Sequence, residues 1–163
     1  MTVREIRVFG DPVLRTKAEP VDPASPGTAA LVQDLLDTVR LPGRAGVAAC
    51  QIGTAQAAFS FNVDGEVGYV LNPRIVEVRG EPELVDEGCL SVPDLGFPTP
   101  RHPWCRVEGV DLDGAEVVLE GEGLMAQMLQ HEMGHLDGRL YLQSLERDMR
   151  ARALEAVRAA PWY

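Results

Sequence analysis

Leu31, Val32, Leu35, Leu36 and Val39 fall at i, i+1, i+4, i+5 and i+8, a single helical stripe. The stripe predicts a helix over residues 26–41. Ser25-Pro26 opens it, with proline at the first helical position, and Pro42-Gly43 stops it. The middle of the chain changes period. Residues 58–62 and 67–71 flank Asp64-Gly65, and residues 106–112 and 116–120 flank Asp113-Gly114, so each set reads as a hairpin. Residues 74–79 alternate less cleanly and predict a further strand. Gly121 and Gly123 loosen the chain before a helix over 124–136, and a last helix over 145–159 ends at Pro161. Residues 10–27, with four prolines, predict an irregular ordered arm. Helix, strands and then helices indicate an α+β fold, with the 124–136 helix packed against antiparallel sheet.

Composition sharpens this without altering it. At 163 residues, 45% hydrophobic and 25% charged, the chain is expected to form one domain over 1–163. A net charge of −10 argues against a broad basic surface for nucleic acid. It leaves room for a small docking contact, such as a weak one with the ribosome. The arginines from 147 to 158 are interleaved with acids and read as a solvated helix face. The first ten residues have no apolar core of a secretory signal, and no apolar run nears the roughly 18 residues of a membrane span. Three widely spaced cysteines do not make a disulfide framework. A cytoplasmic location is the expectation.

Chemistry concentrates at residues 130–135, QHEMGH. On a helix His131 and His135 lie one turn apart on one face and can reach one ion, with Glu132 beside them. A catalytic site of this kind takes a third protein ligand and keeps an open position. A metzincin would need histidine at 141, where the chain has Tyr141. Glu146 and Glu155 are the candidates for a thermolysin-like site, and neither has a supporting motif. Cys89 lies upstream in EGCLS, a loop-like stretch of small residues, and one cysteine with two histidines is an accepted catalytic set. Cys50 and Cys105 read as buried small hydrophobes. His102, in a PRHP turn, reads as structural or exposed.

Three stretches, GRAGVAACQ at 43–51, EGCLS at 87–91 and QHEMGH at 130–135, together resemble the peptide deformylase family. DPVLR at 11–15, SVPDLGFPTPR at 91–101 and HLDGRLY at 135–141 extend the resemblance over nearly the whole chain. It implies antiparallel sheets packed around a central HExxH helix, and removal of the formyl group from formylmethionyl peptides with release of formate. It implies one divalent metal on Cys89, His131 and His135, ferrous iron first, with zinc or nickel as substitutes. Glu132 would act as general base and then general acid, and Gln51 with the Leu90 N–H would face the developing oxyanion. Ala45, Gly46, Gly88 and Arg101 would contact the substrate. Glu87 would stand behind the metal site, paired with an arginine such as Arg101 or Arg106. Met125, Met128 and Val47 are candidates for a methionine pocket or for core.

Two positions depart from the family pattern. Arg44 stands where the first motif normally has glycine, on a loop that looks shortened, and Val47 replaces the usual leucine. Arg44 either points to solvent or reaches the substrate. Gly134 stands where the family has aspartate, which removes a carboxylate near the ion and costs about 1 kcal/mol of helix propensity against alanine. Altered or reduced activity is one expectation from this. Hydrolysis of another formamide or amide, ligand binding without turnover, and endopeptidase activity are the competing readings.

Overall fold

A computed structural model describes residues 2–163. The chain runs α1 (Pro26–Val39), β1 (Gly46–Ala48), β2 (Ala58–Val63), β3 (Glu66–Arg79), β4 (Glu83–Cys89), β5 (Val92–Arg101), β6 (Trp104–Val110), β7 (Glu116–Glu122), α2 (Gly123–Leu136) and α3 (Arg147–Arg158). Five strands form one sheet in the order β1-β2-β3-β6-β7, and β4 pairs with β5 in a separate two-stranded sheet. All pairings within these sheets are antiparallel. The α+β expectation holds. No helix among the described residues is long and apolar enough to cross a membrane.

β2 shows why the sheet has helices on both faces. Phe59, Phe61 and Val63 pack with Leu129 and Met128 of α2, while Ala58 packs with Leu35 and Val39 of α1. Ser60, on the α1 side, is satisfied by donating to the Leu35 carbonyl at 2.9 Å. Period-2 alternation in a strand covered on both sides therefore leaves almost every position buried. The third helix serves the small sheet. Ala153 and Val157 of α3 pack with Val92 of β5 and with Leu140, Leu142 and Leu145.

Both predicted hairpins form. The 67–71 and 74–79 segments are one continuous strand, β3, kinked where Asn72 takes φ +49 and the register with β6 shifts. The bulge has a use. The Asn72 side chain pairs with the backbone of Val21 in both directions, 2.8 and 2.9 Å, and pins the N-terminal arm to the sheet. Within that arm Pro12–Arg15 makes a 3-10 turn capped by Asp11. EGCLS is not a loop. Cys89 ends β4, and Leu90-Ser91 form the tight turn into β5.

Candidate active site

α2 lies between the two sheets and carries His131, Glu132 and His135 inward. Cys89 reaches them from the end of β4, where a register shift between Gly88 and Cys89 breaks the regular pleat. Cys89 Sγ lies 3.4 Å from His135 Nε2, and the two Nε2 atoms are 3.2 Å apart. The three donor atoms all fall within 4.8 Å of one another. Ligand bonds of about 2.0–2.3 Å on a tetrahedron give edges of roughly 3.3–3.8 Å, so a single first-row ion fits this cradle. Neither Glu146 nor Glu155 belongs to the cluster, and both are exposed.

The two rings differ in their electrostatics. Burial opposes charge on His131, yet the Cys89 sulfur, Glu87 and Glu132 around it raise its affinity for a proton well above the usual. His135 moves the other way, well below its ordinary value, because of its burial and the charge of His131. His131 Nδ1 pairs with Glu87 Oε2 at 2.9 Å, which turns Nε2 toward His135. Arg101 clamps the same carboxylate with two nitrogens, at 2.9 and 2.5 Å. Burial works against the Glu87 charge, but His131 and Arg101 hold its carboxyl down at about 2.

Glu132 is 2% exposed, and its Oε2 has no hydrogen-bond partner among the described residues. Burial pushes its carboxyl up to about 7. Gly46 makes room for it, since a Cβ on Gly46 would collide with the Glu132 carboxylate. Gln51 is fixed at both ends of its amide. Its Oε1 accepts from Ala48 N at 3.0 Å, and its Nε2 donates to Ser91 Oγ at 3.2 Å and toward Cys89 Sγ at 3.7 Å.

These groups floor a cleft of about 590 Å³ between β1 and the β4–β5 hairpin. Ala45, Gly46, Gln51, Gly88, Leu90 and Glu132 all line it. Arg101 does not. The expectation that it touches substrate is corrected by its position behind Glu87, on the far side of His131. Arg106 pairs with Glu108 and Glu120 instead. Of the three methionine-pocket candidates only Met128 reaches the cleft, beside Leu124 and Gln127, while Val47 and Met125 belong to the core. Gln127 was not expected. Its Nε2 donates to the Asp86 carbonyl at 2.9 Å and ties α2 to β4, a contact that no local motif announces.

The remaining candidates are structural. His102 Nδ1 meets the Gly80 carbonyl at 2.8 Å, and its backbone pairs with the Gln130 side chain. Tyr141, where a metzincin would have its third histidine, is 3% exposed and stacks on His131 with ring centroids 6.0 Å apart. Cys50 and Cys105 are buried, and burial pushes their thiols up to about 12 and 11. A Cβ on Gly134 would meet only the Arg139 carbonyl, at 3.9 Å, so the helix has space for a larger residue there.

A family profile described as polypeptide deformylase matches residues 3–151. A peptide deformylase of Acidothermus cellulolyticus is 43% identical over 162 residues, covering 99% of this chain and 89% of that protein. The crystal structure of a peptide deformylase from Thermus thermophilus superposes with a TM-score of 0.88 at 43% identity, over 96% of this chain and 94% of that one. One from Legionella pneumophila gives 0.88 at 32% identity, over 97% and 95%.

Proposed function

The chain belongs to the polypeptide deformylase family and is a hydrolase that removes formyl groups from peptides; from that premise we propose that it acts on formylmethionyl N-termini with a divalent metal held by Cys89, His131 and His135. The observation that carries this reading is the convergence of those three donors beside a buried, unpartnered Glu132 carboxylate at the floor of a peptide-sized cleft. Ferrous iron is the ion proposed, with zinc and nickel able to substitute on a donor set of one sulfur and two nitrogens. Bound there, the ion would supply Lewis acidity and would make water a usable nucleophile near neutral pH.

The chain's own groups do the rest. Glu132, with a carboxyl near neutrality, takes the proton from the attacking water and returns it to the departing amine. Gln51 Nε2 and the Leu90 N–H face the formyl oxygen as charge builds on it, and loss of one such donor costs about 3 kcal/mol of barrier. Glu87 and Arg101 keep the His131 ring turned toward the ion. Ala45 and Gly88 flank the peptide backbone, and Leu124, Gln127 and Met128 border its first side chain. The whole chain acts as one catalytic domain in the cytoplasm, on nascent peptides, with at most a weak ribosome contact. The experiment is formate release from formyl-Met-Ala-Ser by anaerobically purified, iron-loaded protein. Wild type should release formate and Glu132→Ala should not. Equal release by both contradicts the role given to Glu132.

A further inference from the structure

Arg44 forms part of the rim of the cleft, together with Gly43, Ala45 and Gly46. It does not point away into solvent. Its Nη1 donates to the Thr38 carbonyl at 2.9 Å, in the last turn of α1, where a cation is also favoured by the helix dipole. That single bond anchors the side chain and leaves the other guanidinium donors without a protein partner among the described residues. Arg44 makes no ion pair among the described residues. It is also the one lysine or arginine lining the cleft, opposite the exposed carboxylates of Asp86 and Asp94. The two banks therefore carry opposite charge, in a molecule whose net charge is −10.

Position along the cleft bounds which substrate residue can meet this charge. Gly46 lies against Glu132, at the reacting end. Arg44 is two residues back along the same bank, outside β1 and past a bend at Ala45, so it lies at most about 7 Å away. An extended peptide covers that distance in two residues at about 3.3 Å each, so its third residue is the one that can meet Arg44 when its formylated residue sits at Glu132. Resting on the deformylase reading above, we propose that Arg44 is a specificity residue that favours formylated peptides with an acidic third residue. It supplies the countercharge that an acidic N-terminal segment needs in order to enter an otherwise acidic cleft.

The test compares formyl-Met-Ala-Glu-Ser amide with formyl-Met-Ala-Lys-Ser amide on the full chain. Arg44→Gln keeps a donor for the Thr38 carbonyl and removes the charge, and Arg44→Glu reverses it. Wild type should favour the glutamate peptide by about two- to fivefold in kcat/KM at low salt, the range of a solvent-exposed ion pair, and less at high salt. The ratio should vanish in Arg44→Gln and invert in Arg44→Glu. Calorimetric binding of the same two peptides to metal-free wild type and variants gives a second reading that needs no turnover, and the same order is expected. A glutamate-to-lysine ratio that is equal in wild type and Arg44→Gln by both measurements overturns the proposal. Arg44-dependent binding without formate from any peptide would uphold it and sink the deformylase reading instead.

Discussion

On one bank of the cleft, β1 and the turn after it are fixed by apolar burial. Val47, Ala48, Ala49 and Cys50 are each at most 1% exposed and pack into the cores on both faces of the large sheet. On the other bank, β4 is tied to α2 by polar contacts, with Glu87 on His131 and Gln127 on the Asp86 carbonyl. Its hairpin takes apolar support from the C-terminal segment. The first bank is a scaffold that would stand without the chemistry. The second carries Cys89 and Leu90, and it is held where it is by the same group that orients His131. Burial fixes the first bank, and polar and charged pairs set the position of the second.

Substitutions can pull the two banks apart. The largest effect is expected from Phe59→Ala, a fully buried side chain under the first bank. It should cost about 3–5 kcal/mol of stability in denaturant unfolding. Metal bound per folded molecule should not change. Gly46→Ala comes next. The new methyl meets a Glu132 carboxylate that is itself buried, so the base must shift. A misplacement of that order should lower kcat/KM by about 100-fold with the unfolding midpoint little changed.

Much of this was legible in the chain, for reasons particular residues make plain. His131, Glu132 and His135 share a helix, so spacing alone brings them together. Cys89 is 42 positions upstream of His131, and only its small-residue setting and the family likeness pointed to it. The β4–β5 hairpin was not foreseen as strands. Pro93, Pro98 and Pro100 argue against a strand, yet a two-stranded sheet is all edge, and edge positions tolerate proline. β1 is three residues long, too short to leave a periodic signal. Arg101 was expected both on the substrate and as one of two possible partners of Glu87, and the structure keeps only the second role. Its partner Glu87 lies across the hairpin from it, a contact that only the pairing of β4 with β5 creates. Arg44 showed only as a departure from a pattern, and its bond to Thr38 depends on where α1 ends.

Two smaller effects refine the contrast. Glu87→Gln removes the charge that orients His131 and leaves Arg101 without its countercharge. Metal affinity should fall by about 10- to 100-fold in a competitive chelator titration, while the first bank stays protected in hydrogen exchange. An affinity equal to wild type would mean that the second bank is not held through the metal ligands. The smallest change is Gly134→Ala. The site has space for the methyl and the helix gains propensity, so stability should rise by about 0.5–1 kcal/mol, read from the thermal midpoint. A loss of stability would place a constraint at Gly134 that the packing does not reveal.

The central claim is that Cys89 joins His131 and His135 on one ion. X-ray absorption at the metal edge of anaerobically purified protein tests it most directly, with Cys89→Ser measured alongside. One metal per chain is expected, with one sulfur scatterer at about 2.3 Å and two nitrogen scatterers at about 2.0–2.1 Å. The sulfur shell should be absent in Cys89→Ser. A stoichiometric ion with no sulfur neighbour in wild type, or no stoichiometric ion at all, contradicts the claim.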